Sequence, residues 1–439
     1  MTETAREVIV LGAGIAGLAA ARVLAESGQR VMVLEARERV GGRILSQDTE
    51  NGTLELGAEF VHGKPPELWR LIHEAQLETY ELNGKQFCYE GRALSECDQF
   101  EEDFRWLGKL TDWDGGDCSF AEYLVRAGVP KSLWNRLICY VEGFNAADHR
   151  VIGVASLAMQ QKAEDAIEGD SLFGIRGRYA QLPEFLAQKL QQAGAEISLL
   201  TRVESVHWKR GRVEVNCQTA GQYRVLQANT AVITLPLGVL QHGDVQFSPE
   251  PLETMRAIKR MRMGNASRWV YVFRDRFWAS LKDHPLRQQL RELSFLFAFS
   301  SEPPTWWTQF PEETRSLTGW AGGPVAESMA QKPSITLQLE ACKTLADAFG
   351  LDVNAIRSLL IDSRSHDWQN DPYARGAYSY VPAGALDAPA RMSEPVQGTL
   401  FFAGEHTDTA GHWGTAHAAL TSGLRAAAQV LNSGEPIAG

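Results

Sequence analysis

The sequence predicts an α/β protein in which an open, mostly parallel sheet with flanking helices is assembled from separated stretches of chain and joined to a mixed α+β unit. Three observations predict it. A β-branched run at residues 7–11 leads through a glycine-rich turn into an amphipathic helix and a second buried strand at 31–34. A helix–strand cluster at 179–235 and a strand–helix pair at 400–431 continue the same pattern far downstream. The length of 439 residues is about three times what one domain usually holds.

Glu7-Val-Ile-Val-Leu11 is apolar at successive positions inside the run, as a strand buried on both faces requires. The turn that follows is Gly12-Ala-Gly14-Ile15-Ala16-Gly17. Gly12 permits the tight turn, Gly14 lets a pyrophosphate approach the backbone, and Gly17 lets the helix pack close to the strand. The first turn of that helix, with Ile15 and Ala16, offers unpaired N–H groups and a positive dipole end to phosphates. Leu18, Ala21, Leu24 and Ala25 share one side of the helix, which ends near Gly28. The strand at 31–34 closes on Glu35, where an acid can accept hydrogen bonds from a ribose. Three glycines alone are a weak signal. With strand, helix, second strand and acid all in place, they predict a dinucleotide site.

Residues 67–168 read as mostly helical, with no strand alternation. An amphipathic helix at 179–192 is followed by strands at 196–200 and 203–207. A strand at 213–217 pairs with one at 223–227 through a turn at Gly221, and a further buried strand at 231–235 precedes Pro236. Between 251 and 389 the pattern is mixed, with strands near 268–273 and 293–299 and helices at 334–349 and 353–363. The proline-bearing pieces at 302–304 and around Glu312 read as surface loops. No repeat or low-complexity stretch is visible. The expected organisation is a discontinuous nucleotide-binding domain from 1–66, 174–250 and 390–439, with 67–173 and 251–389 forming a substrate domain.

Composition is that of a globular chain, 44% hydrophobic and 22% charged. A net charge of −11 argues against nucleic acid as a partner. It suits a cationic ligand, and equally any soluble enzyme. The polar start shows no secretory signal, no stretch reaches the ~18 apolar residues that span a membrane, and the tail at 432–439 carries no anchor. The six cysteines are scattered without a CxxC pair and read as reduced thiols. A cytoplasmic protein is expected, and its oligomeric state is left open.

Four further segments carry a family resemblance. They are Glu35-Ala36-Arg37-Glu-Arg39-Val-Gly41-Gly42-Arg43, Glu55-Leu-Gly57-Ala58-Glu59-Phe60-Val-His62-Gly63, Thr234-Leu-Pro236-Leu-Gly238-Val-Leu240 and Leu400-Phe-Phe-Ala-Gly404-Glu405-His406-Thr. Together they resemble the flavin-containing amine oxidases, a superfamily of monoamine oxidases, polyamine oxidases and histone demethylases. The resemblance implies FAD, with Arg37 and Arg43 near the pyrophosphate and Gly57, Ala58, Glu59 and Phe60 along the flavin ring. It implies Val203 against the adenine, and Gly404 and Glu405 on the ribityl or phosphate side. The helix opening at Thr415 and Ala416 would aim its N-terminus at the flavin. Ala377 stands where monoamine oxidases carry the cysteine that bonds to the flavin, which implies noncovalent FAD.

The implied reaction oxidises the carbon beside an amine nitrogen and reduces O2 to H2O2. Only a neutral amine has a free lone pair, and burial against aromatic surface favours that form. Tyr378, with Tyr380 as second choice, resembles one wall of the family's aromatic cage, and Trp413 or His412 the other. Core packing is the alternative for these aromatics. His62 matches a histidine on the active-site side of the flavin in animal-type polyamine oxidases; satisfying its loop is the alternative. One departure stands out. Arg268 occupies the position of the lysine that holds a water against flavin N5. It is still a cation, but planar and unable to act as a base, and is expected to keep the water, occlude it or pair with an acid.

A small monoamine or polyamine is therefore the expected substrate, together with O2. An oxidase of L-amino acids or other compounds is the alternative, with Arg268 or Arg375 meeting a carboxylate. A third is a flavin-binding protein without turnover. A histone-directed role is disfavoured by the lack of a coiled-coil insertion.

Overall fold

In the computed structural model, residues 6–91, 93–97 and 105–433 are described. The extreme start and the tail beyond 433, on which the signal and anchor expectations bear, lie outside them.

The β-branched run becomes the strand Arg6–Leu11, which pairs in parallel with Val31–Leu34 on one side and with the end of Gln222–Ile233 on the other. Glu196–Ser198 extends the sheet beyond Val31–Leu34, and Leu400–Phe402 pairs with Ala231, Val232 and Ile233, both in parallel. The consecutive apolar residues divide between two cores. Val8 and Val10 pack under the helices Ile15–Glu26, Gln181–Gln192 and Ala416–Ser433, while Ile9 and Leu11 face Val203, Val206, Leu237 and Ile258. Each face buries its own alternate residues, so the run shows no polar alternation.

The strands expected at 223–227 and 231–235 are one element. Its first half pairs antiparallel with Arg212–Thr219 and its second half joins the parallel sheet. Strand polarity changes at 228–230 without a turn, which local sequence does not reveal.

A second sheet of seven strands runs in the order Leu360–Ser365, Ala266–Phe273, Ser316–Gly322, Thr305–Trp307, Leu293–Phe297, Lys85–Tyr89 and Leu94–Glu96. It corrects four expectations. Residues 79–96 contain three short strands where helix was expected; at three to five residues each, they are too short to alternate visibly, and Lys85–Tyr89 is held by Leu293–Phe297 from far downstream. The helix expected at 353–363 ends at Leu359, because Leu360–Ser365 pairs with Ala266–Phe273. Pro303 and Pro304 are buried, with Pro303 against Gly319 of the sheet. Cys88 and Cys97 form a disulfide across the hairpin Lys85–Tyr89/Leu94–Glu96, whereas Cys118, Cys139, Cys217 and Cys342 are in no disulfide, as expected. Nine residues of spacing gave no motif, and the hairpin that aligns the two thiols was itself missed.

The helices Phe120–Arg126, Lys131–Asn145 and Val154–Ala166 pack around a separate apolar cluster that includes Tyr380. Among the described residues no helix is long and apolar enough to cross a membrane.

Candidate active site

The glycine-rich turn works by close approach. A Cβ on Gly17 would stand 2.0 Å from Gly12 O, so helix and turn can meet only at glycine. A Cβ on Gly14 would meet nothing within 4 Å, which leaves open space beside the helix N-terminus. Glu35 is buried and organises this turn: Ala13 N–H donates to its Oε2 and Arg37 N–H to its Oε1, both at 2.9 Å. Gly41 N–H donates to Ala13 O at 2.8 Å and folds the second loop onto the first.

The arginines of that loop are tied down by protein partners. Arg37 Nη2 donates to both oxygens of Asp371 at 2.7 and 2.8 Å. Burial works to raise the Asp371 carboxyl, but hydrogen bonds from His366 and Arg37 outweigh it and hold the group well below the usual carboxylate range. Arg43 donates to Glu405 at 2.8 Å and to Ala377 O at 2.9 Å. The other Glu405 oxygen accepts from Ser379 Oγ at 2.6 Å and Gly414 N–H at 3.1 Å. Burial opposes this ionised carboxylate, and the Arg43 guanidinium more than offsets it, so its proton affinity falls below the ordinary value.

One cavity of about 640 Å³ runs from this turn to the second sheet. Of the residues expected at the cofactor, all line it except Gly17, which lies beneath the turn. Its volume is within the range of small-molecule and cofactor sites. The open space at Gly14, the helix N-terminus and the buried acid fit a dinucleotide.

His62, Arg268, Tyr378 and Trp413 line the same cavity, but their partners are partly unexpected. Trp413 is 7% exposed, belongs to the core beneath the first sheet and donates its indole N–H to Asp408 O at 2.8 Å. The ring stacked on Tyr378 is Trp320, with centroids 6.4 Å apart and planes at 9°. Trp320 contacts Trp307 at 6.0 Å, and Trp307 contacts Phe60 at 5.5 Å. Tyr378 Oη donates to Phe144 O at 2.8 Å, and His62 stands edge-on to Phe60 and Phe144. Burial pushes the His62 imidazole below its ordinary pKa and the Tyr378 phenol above its own.

Arg268, 4% exposed, pairs with Glu59, donates from Nη1 to Gly57 O at 2.9 Å and lies over the Trp307 ring. Glu59 also accepts from Trp307 Nε1 at 2.9 Å and Gln309 Nε2 at 3.1 Å. Arg375 is paired with Asp244 at 2.9 and 3.0 Å. His412 is off the cavity wall, 3.6 Å from Glu164.

Phe144, Trp307 and Trp320 were missed. Trp306 and Trp307 are adjacent on one strand, so they must point to opposite faces. Trp306 fills the core and Trp307 faces the cavity. That Trp-Trp pair was the available signal.

A parallel α/β sheet whose glycine-rich turn opens into a cavity, continued by an aromatic chamber, defines a dinucleotide-dependent oxidoreductase. The chain belongs to the family of flavin-containing amine oxidoreductases, whose model matches residues 15–113 and 114–431. It is an amine oxidase with FAD as its cofactor. It is 27% identical to polyamine oxidase 4 of Oryza sativa subsp. japonica, over 96% of this chain and 87% of that protein. It is 29% identical to lysine-specific histone demethylase 1 homolog 2 of Arabidopsis thaliana, over 98% of this chain and 59% of that protein. Among solved structures it resembles putrescine oxidase bound to putrescine, with a TM-score of 0.83, 19% identity and coverage of 98% and 99% of the two chains. Cyclohexylamine oxidase from Brevibacterium oxydans gives a TM-score of 0.81 at 20% identity, covering 98% and 99%.

Proposed function

We propose that the protein oxidises a small monoamine or polyamine at the carbon beside nitrogen, with O2 as acceptor. For a primary amine the balance is RCH2NH2 + O2 + H2O → RCHO + NH3 + H2O2. The observation that carries this reading is the chamber of Phe60, Trp307, Trp320 and Tyr378, in which the cation Arg268 is already neutralised by Glu59. Among the described residues, the two arginines expected to meet a substrate carboxylate are both taken, since Arg375 is also paired. That disfavours an amino-acid substrate.

FAD, held noncovalently, would supply the acceptor for a hydride equivalent from the amine carbon and the route of the electrons to oxygen. Around it, the chain's own residues bind and orient. The turn at Gly12 and Gly14 and the N–H groups at Ile15 and Ala16 would cradle the pyrophosphate, Glu35 would accept from a ribose, and Val203 would flank the adenine. Gly57, Ala58 and Phe60 would hold the ring system, together with Thr415 and Ala416 on the same cavity. Glu59 and Glu405, whose carboxylates are taken up by protein donors, and Arg37 and Arg43, each paired with an acid, act by fixing the loops of the site. Ala377 on the wall carries no nucleophile. Tyr378 and Trp320 exclude water and favour the neutral amine. His62, kept neutral by burial, accepts a hydrogen bond from a substrate nitrogen. Segments 1–66, 174–250 and 390–439 bind FAD, and 67–173 and 251–389 hold the amine; the eight-stranded and the seven-stranded sheet each draw their strands from one of these two sets, and the small sheet of Val61–His62, Leu172–Ile175 and Thr79–Glu81 joins them.

The test is anaerobic mixing of the FAD-loaded protein with monoamines, polyamines and L-amino acids. Amines should bleach the oxidised flavin band, and air should restore it with release of H2O2. Bleaching by amino acids alone would overturn the reading.

A further inference from the structure

Glu164, on the helix Val154–Ala166, meets two histidines from the far end of the chain. His412 lies in the loop after Asp408, and His417 in the first turn of Ala416–Ser433. The side chains of Glu164 and His412 are 13% and 14% exposed, and His417 is 3% exposed. Glu164 Oε1 is 3.6 Å from His412 Nδ1, and the two imidazole centroids are 4.7 Å apart. One donor atom from each of the three residues lies within 4.8 Å of those of the other two. Glu164 Oε1, His412 Nδ1 and His417 Nε2 are buried and have no hydrogen-bond partner.

Three buried polar atoms without partners are unfavourable unless something between them satisfies all three. The only ion-pair partner of Glu164 among the described residues is His412, so its carboxylate has no Lys or Arg to balance it. Two imidazole nitrogens and a carboxylate oxygen form a donor set suited to a borderline-soft divalent ion. With metal–ligand bonds of about 2.0–2.2 Å, tetrahedral ligand atoms stand about 3.4 Å apart. The 3.6 Å pair is close to that edge, and modest side-chain rotation closes the rest. His412 is held in position beforehand, because Asp408 Oδ1 accepts the backbone N–H groups of Ala410, Gly411 and His412.

We propose that Glu164, His412 and His417 bind one divalent transition-metal ion of the Zn2+ class, with solvent as the fourth ligand. The ion would clamp the helix Val154–Ala166 to the loop that carries Trp413 and Thr415 of the cavity wall. This role is separate from the oxidation chemistry.

The experiment uses the FAD-loaded full chain, treated with EDTA, desalted and dialysed against micromolar Zn2+. Zinc per chain is read by mass spectrometry, and thermal unfolding is followed with and without Zn2+. Wild type should retain about one zinc and unfold at higher temperature with Zn2+. Glu164→Gln and His412→Asn should each bind it at least about tenfold more weakly, since loss of even supporting groups has effects of that size. Asp148→Asn, in the acid–histidine group Glu142, Asp148 and His149, should bind as wild type does. Flavin absorbance and circular dichroism report folding of each variant. No uptake by wild type, uptake unchanged in both site variants, or loss in Asp148→Asn would overturn the proposal.

Discussion

Arg268 and Glu59 lie 209 positions apart and form one buried ion pair, with Trp307 and Gln309 completing the carboxylate's contacts. Arg268→Met removes the cation and leaves Glu59 with two neutral donors. Breaking a buried pair from one side typically costs about 3–5 kcal/mol, and the remaining donors place the expected loss near the lower end. Urea unfolding of the FAD-loaded variant measures it; a loss below about 1 kcal/mol would mean that the pair contributes little beyond a hydrophobic replacement. Glu55 carries a second residue-scale effect. Burial raises its carboxyl from 4.5 to about 7, against hydrogen bonds from Tyr179 N–H and Ser46 Oγ. Between those values the folded state keeps a proton that the unfolded state releases, so stability falls as pH rises through the window. The total is about 3 kcal/mol. Glu55→Gln stays neutral in both states, so its unfolding free energy should lack this decline and exceed wild type above pH 7. Parallel pH curves for the two proteins would sink the assignment. The burial of Glu55 was not legible in the sequence, whereas pairing with an acid was among the expectations for Arg268. Which acid it meets depends on a contact between the strand Ala266–Phe273 and the loop between Gly52–Glu55 and Val61–His62, and no local pattern encodes that.

Elements read better when their logic is local. The glycine turn and Glu35 sit within 24 residues of one another, and every step from strand to turn to helix is set by near neighbours. The turn also separates two functions of glycine. Gly17→Ala places a carbon 2.0 Å from a backbone oxygen of Gly12, so strand and helix must part. Gly14→Ala meets no protein atom and has an extended backbone that alanine adopts freely. The expected outcome is that Gly14→Ala folds normally yet binds FAD at least about tenfold more weakly, since it fills space reserved for phosphate. Gly17→Ala should lose folded yield as well. Flavin titration and circular dichroism distinguish them, and normal FAD affinity in Gly14→Ala would remove the turn from the binding site. The elements that escaped sequence reading are those set from a distance. Lys85–Tyr89 is a strand because Leu293–Phe297 pairs with it, and helix Val353–Leu359 stops because the next six residues pair with Ala266–Phe273. Periodicity over so few residues cannot compete with a long-range ladder.

At the scale of the whole molecule, the cavity gathers chain from Gly12 to Ala419 and takes walls from both sheets. A ligand there contacts segments that the sequence separates by hundreds of residues, so its binding energy is shared among them. FAD that binds only the folded state stabilises it by RT ln(1 + [FAD]/Kd), about 1.4 kcal/mol for each tenfold rise once the site is saturated. With the usual entropy of unfolding per residue, a chain of 439 residues should gain roughly 1.5 °C in Tm per tenfold FAD. The form of the transition carries the information. If the two sheets unfold together, one transition moves upward as FAD is added. If the flavin stabilises only the part built on Arg6–Leu11 and its neighbours, the scan divides and the second sheet melts at a fixed temperature. The interlocking walls, with Arg268 of the second sheet bonded to Gly57 and Glu59 from the first 60 residues, favour the single moving transition. A stationary second melt would show that the aromatic chamber is stable without the cofactor, and that the Arg268–Glu59 pair does not couple the sheets.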